Sequence, residues 1–187
     1  MERVDVDPDG DVVLVISSKL ELRVSSVILS LASPVFKAML GPNFAEGHAL
    51  RSNTTGIPRT IPLPEDDAEG MKILCLVLHL QNTRVPTDIS PDLLLRFAVA
   101  VDKYGCAGAV KHAAGTFLRA LQTSSHEMWV PQIPLQAAFL LDDAEHFAQF
   151  TSAYNKEQEV ERYRMNDSTE PELLRKIHSK LREVFKV

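Results

Sequence analysis

The chain has 187 residues, 45% of them hydrophobic and 24% charged, a balance that suits a soluble globular protein of one domain plus an appendage and excludes disorder throughout. Its net charge is −5, and basic residues are interspersed with acidic ones. The concentrated positive surface that direct nucleic-acid binding needs is therefore missing.

The first residues, Met1-Glu2-Arg3-Val4-Asp5, are acidic and lack a signal-peptide core, and no apolar run approaches the ~20 residues of a membrane span. The chain is expected in the cytoplasm or nucleus, away from membranes. Asp5-Val6-Asp7-Pro8-Asp9-Gly10 matches the opening of an EF-hand calcium loop. The twelfth position, which should bring a bidentate glutamate, is Ile16, and the preceding helix has no room. The segment reads as a turn leading into the first strand.

Strands are expected over Asp11–Ile16 and Leu20–Val24, joined as a hairpin by Ser17-Ser18-Lys19. Ser25 or Ser26 can cap a short helix. Ser33-Pro34 opens a second one, with Val35, Phe36, Met39 and Leu40 on its buried face. The stretch from Gly47 to Arg59 is polar and aperiodic and reads as a surface loop. Thr60–Leu63 follows as a strand that Pro58, Pro62 and Pro64 confine to a sheet edge.

Asp66 or Asp67 caps a helix through Met71, Leu74 and Leu78, with Asn82 past its end. Ser90-Pro91 opens a helix through Leu94, Phe97, Ala98 and Val101 that Gly105 closes, and residues 107–121 supply another. A small sheet framed by many helices is α+β in class.

Residues 1–10 form an acidic lead, 11–121 the main domain and 122–187 a helical extension. Within the extension, residues 136–151 are apolar enough to pack on the main domain, and 155–164 are nearly all charged. Thr169-Glu170-Pro171-Glu172 fits a capping box before the stripe Leu173, Leu174, Ile177, Leu181, Val184, Phe185. Two heptads are too few for a self-standing coiled coil, so this stripe is expected to dock on its own domain.

Catalytic readings fare poorly. The six histidines are dispersed without metal-ligand spacing, and Asp142-Asp143-Ala144-Glu145-His146 reads as a capped helix start. Cys75 and Cys106 sit among apolar residues, as reduced buried thiols do, and Cys106 has no identifiable base. No nucleophile elbow, phosphate loop or dinucleotide fingerprint is present. No enzyme, metal, cofactor or small-molecule substrate is expected.

Five pieces in order carry a family likeness: Asp11-Val12-Val13-Leu14-Val15, the run from Leu29 through Ser33 to Phe36, Phe44-Ala45-Glu46, the run from Leu63 to Asp66-Asp67, and the run from Ala100 to Tyr104-Gly105-Cys106. Together they resemble the BTB/POZ domain, most closely the form common in fungal proteins, over residues 11 to about 121. The resemblance implies a BTB/POZ-like fold and a protein-interaction role, either as an adaptor recruiting a cullin-based ubiquitin ligase or as a dimerisation or scaffold module. In the adaptor form, Phe44 would be the apolar anchor and Glu46 its polar partner, on a loop held by Met39. A homodimer would use Ser25, Ile28, Leu29 and Ala32. Relatives usually carry a histidine where Ser25 stands, so the histidine-dependent pocket of their dimers is absent. The ten residues before Asp11 are too few for the N-terminal strand and helix that some dimers exchange.

Overall fold

The computed structural model describes residues 1–42, 57–123 and 132–162. Four strands, β1 (Glu2–Asp5), β2 (Val12–Ile16), β3 (Leu20–Val24) and β4 (Arg59–Leu63), form one sheet in the order β1-β3-β2-β4. The central pair β2 and β3 is antiparallel, and each outer strand runs parallel to its neighbour. Leu14 lies opposite Leu22 on one side and Ile61 on the other, all three buried. Because β2 is buried along most of its length, its sequence is a continuous apolar run, whereas β3 alternates buried Leu20, Leu22 and Val24 with half-buried Glu21 and Arg23.

The hairpin turn uses two serines where glycine or asparagine is usual. Ser17 and Ser18 have φ of 49° and 54°, and Lys19 N–H closes the turn on the Ile16 carbonyl at 2.9 Å. The Ser17 hydroxyl donates to the carbonyls of Pro64 and Asp66, tying the turn to the segment after β4. On β4, Arg59 N–H donates to the Asp11 carbonyl and the Leu63 carbonyl accepts from Ser17 N–H. Alternate residues therefore face β2, and Pro62, which has no N–H to offer, falls on the outward edge.

The lead before Asp11 is more structured than expected. Its second half is the anticipated turn, closed by Gly10 N–H on the Asp7 carbonyl at 3.0 Å. Its first half is the strand β1. That strand is held from outside itself: Lys72 pairs with Glu2 at 3.1 Å, the Arg84 guanidinium donates to the Asp5 carbonyl at 2.8 Å, and the Gln81 amide donates to the Val6 carbonyl at 3.1 Å. Val6 is fully buried.

Seven described helices complete the fold: α1 (Ser26–Ala32), α2 (Pro34–Met39), α3 (Ala68–Leu78), α4 (Pro91–Tyr104), α5 (Ala107–Thr123), α6 (Gln132–Leu140) and α7 (Ala144–Arg162). The capping residues stand where short-range chemistry puts them. Side-chain oxygens of Ser33, Asp67 and Ser90 accept the N–H groups of Phe36, Gly70 and Leu93. Gly105, at φ 64°, lets the chain turn out of α4. Gly70 has a different reason, since a Cβ there would lie 2.7 Å from the Arg96 carbonyl where α3 crosses α4.

One burial expectation fails. On α2, Phe36 and Leu40 face the core one turn apart, which leaves Val35 on the outer side, 41% exposed. Past residue 121, α6 packs on α4, and α7 packs on α6 and α5. Leu135, Ala138, Leu141, Phe150 and Tyr154 join the main core, so this part of the extension is continuous with it. Asp143 caps α7 through His146 N–H at 3.0 Å, as its sequence suggests. The stripe from Leu173 to Phe185 lies outside the described residues.

Candidate partner-docking face

The helix α1 has seven residues, too few to persist alone in water, so its position depends on what grips its ends. At the N-terminus three backbone amides are satisfied from three directions. Ser25 N–H donates to Nε2 of His79, the residue just after α3, at 3.0 Å. Ser26 N–H donates to Oδ1 of Asp11, just ahead of β2, at 2.8 Å, while its hydroxyl donates to Oδ2 at 2.6 Å. Ile28 N–H reaches the Ser25 hydroxyl at 3.5 Å. At the other end Ser33 N–H closes on the Leu29 carbonyl, and the Ser33 hydroxyl donates to the Tyr104 carbonyl.

This fixed helix is uncharged and apolar on both sides. Leu29 faces inward and is fully buried, with Ile28 and Ala32 packed against the same core. Val27 and Leu31, one turn apart on the opposite side, are 64% and 83% exposed. Together with Ser26, Ser30, Pro34, Lys37 and Leu40 they line an open groove of about 550 Å³ between α1 and α2. Exposed apolar side chains clustered on a rigid helix mark a surface suited to a protein partner.

The residues singled out from sequence are distributed unevenly about this face. Ser25, Ile28 and Ala32 are half-buried on its flanks, and Leu29 belongs to the chain's own core. Met39 is half-buried at the end of α2 and packs against the core. Phe44 and Glu46 lie outside the described residues. Val27 and Leu31 were not singled out. The available signal was that Val27, Ile28, Leu29, Leu31 and Ala32 surround α1 with apolar side chains, more than one buried stripe can use.

A second polar cluster locks the neighbouring scaffold. Asp66 is only 6% exposed, and its carboxylate accepts from Lys103 Nζ at 2.7 Å and from the Tyr104 hydroxyl at 2.8 Å. Burial, reinforced by the Asp66 hydrogen bond, pushes the Tyr104 phenol well above its ordinary pKa. The same ring stacks on Phe36 with centroids 4.1 Å apart. Turn, α2 and the end of α4 are thereby joined, with the carboxylate already occupied on both oxygens.

Neither thiol is activated. Burial pushes Cys75 up to about 12 and raises Cys106 as well, and neither is in a disulfide. Among the described residues, no group of three or more histidine, cysteine, aspartate or glutamate side chains is placed to hold a metal ion. No described helix is long and apolar enough to cross a membrane.

Residues 9–120, more than half of the chain, match the family model of the BTB/POZ domain. The chain belongs to the BTB/POZ domain family. No curated protein matches it. Within this BTB/POZ domain, four of the five sequence pieces fall on described structure: β2, the α1–α2 pair, the turn between β4 and α3, and the end of α4. BTB/POZ domains are protein–protein interaction modules and are typically non-catalytic, which agrees with a site whose main feature is an exposed apolar helix face.

Proposed function

We propose that this BTB/POZ domain self-associates through the outward face of α1 and serves as a scaffold module for protein assembly. The observation that carries this reading is Leu31, 83% exposed on a helix whose ends are held by Asp11, His79 and Ser33. Because the helix is already fixed, little ordering entropy remains to oppose docking. The segment Ser26–Ala32 carries no charge, so the helix itself adds no like-charge repulsion to a face-to-face contact, Lys37 being the charged residue of the groove lining, and a twofold contact uses each exposed side chain twice. Burying a valine or leucine fully is worth about 1.5–3 kcal/mol.

Sedimentation equilibrium tests this directly. The intact chain is expected to dimerise with concentration, and Leu31→Asp to remain a folded monomer. A wild-type chain that stays monomeric at every concentration overturns the reading.

A second reading, recruitment of a cullin-based ubiquitin ligase, is favoured by the Phe44-Ala45-Glu46 sequence just after α2. It predicts that the N-terminal helical repeat of the BTB-specific cullin binds the chain in a calorimetric titration. Phe44→Ala should weaken that binding at least tenfold, about 1.4 kcal/mol. No heat with a well-folded sample counts against it. A cytoplasmic or nuclear setting accompanies both readings and is supported by two buried thiols left unpaired. The likeness to the fungal form rests on the same sequence pieces and on the helices that follow them.

A further inference from the structure

His79 is the one histidine whose two ring nitrogens both meet main-chain groups of fixed polarity among the described residues. Nε2 faces Ser25 N–H at 3.0 Å, and a backbone amide can only donate. Nδ1 faces the Cys75 carbonyl at 2.8 Å, and a carbonyl can only accept. The ring is therefore neutral, with its proton on Nδ1 and its lone pair on Nε2 aimed at the start of α1. A proton added to Nε2 would set N–H against N–H.

We propose that His79 is a proton-operated latch on α1: the neutral ring holds the Ser25 amide at the start of the docking helix, and protonation releases that hold while Asp11 keeps its grip on Ser26. The inference rests on the docking role proposed for α1 and assigns it a control point 54 residues away in sequence.

Groups from three elements meet the ring. The helix α3 supplies the Cys75 carbonyl from one turn back, beside the protonated Cys75 thiol. The turn between β1 and β2 supplies Asp7, whose charge favours a positive ring. The junction of β3 and α1 supplies Ser25 N–H, and Asp11 at the next amide is already engaged by Ser26. Burial is the strongest influence and holds His79 below its usual 6.5, with the Cys75 hydrogen bond and Asp7 opposing it. Both states thus have physical support: the neutral ring has Ser25, and the charged ring has Asp7 and the C-terminal end of α3.

A histidine depressed in the folded state contributes its full stabilisation above 6.5, the unfolded value, and loses it as the pH falls from there through the folded value. In that window local opening of α1 should increase, beside the loss of global stability that linkage requires.

The test is a pH titration of the full wild-type chain by NMR, reading the His79 ring nitrogens together with hydrogen exchange of the Ser25 amide. Above the transition the ring should show the Nδ1–H tautomer. Below it, exchange at Ser25, corrected for its intrinsic rate, should accelerate about tenfold, equivalent to ~1.4 kcal/mol, while α5 amides that exchange by local fluctuation without global unfolding are unaffected. His79→Gln, which keeps an acceptor near the Nε2 position and cannot titrate, should abolish the transition. A ring that titrates without changing Ser25 protection, or that is charged or in the other tautomer at neutral pH, overturns the latch. If the wild-type chain is monomeric at every pH, the docking reading falls separately, because Ser25 exchange still decides the latch.

Discussion

Asp11 grips Ser26 with both carboxylate oxygens, one on the backbone N–H at 2.8 Å and one on the hydroxyl at 2.6 Å. This ties β2 to the first turn of α1 and places a negative charge at a helix N-terminus, where the helix dipole favours it. Asp11→Ala should therefore destabilise the chain by about 1 kcal/mol, and Asp11→Asn by less, since an amide oxygen can still accept. Urea unfolding midpoints check both. Equal midpoints for wild type and Asp11→Ala would show that the contact contributes nothing.

Leu29 and Leu31 stand two residues apart on one helix and should respond in opposite ways. Leu29→Ala opens a cavity in a fully buried position and should cost about 3 kcal/mol. Leu31→Ala, at 83% exposure, should leave monomer stability within about 0.5 kcal/mol while weakening self-association. Chemical denaturation and sedimentation on the same samples separate the two effects.

The Asp66 cluster makes a third prediction. Lys103→Met leaves a buried carboxylate with the Tyr104 hydroxyl as its remaining side-chain partner. The cost should be about 2 kcal/mol, below the range for a fully buried pair because Lys103 is itself 46% exposed. Thermal unfolding would show it as a lowered Tm, and an unchanged Tm would mean that water replaces the ammonium without loss.

Leu80 offers the reverse case, a residue whose removal should help. It lies just past α3 with φ 58°, in the left-handed region, and is 79% exposed. The turn is closed by Gln81 N–H on the Leu76 carbonyl at 2.9 Å, the arrangement in which glycine is usual. Leu80→Gly should stabilise the chain by up to about 1 kcal/mol, after the greater freedom of glycine in the unfolded state is offset. A fall in the urea midpoint would mean that Leu80 makes contacts worth more than its strained backbone costs.

Features governed by neighbours in sequence are legible in the sequence itself. Ser33, Asp67 and Ser90 cap the helices assigned to them, and Gly105 ends α4, because those signals act within four residues. What depends on distant partners could not be read. Glu2–Asp5 has little strand character of its own and becomes β1 through contacts from Lys72, Gln81 and Arg84. The docking face was half legible: α1 is apolar all round, yet only the folded chain shows that Leu29 faces in and Leu31 faces out. His79 gave no signal at all, since its meaning depends on a backbone amide on another element.

The claim that α1 is a self-association face is tested most directly by placing a thiol on it. Cys75 and Cys106 are buried with raised pKa values, so a maleimide reagent meets little native background in the folded chain. Leu31→Cys and, as a control on the exposed side of α5, Lys111→Cys would each be treated with a short, flexible bismaleimide. Rapid covalent dimer from Leu31→Cys, at a chain concentration high enough to offset the affinity lost with the leucine, with only slow collisional product from Lys111→Cys at that concentration, is the predicted result. Equal, slow cross-linking at both positions would contradict the account.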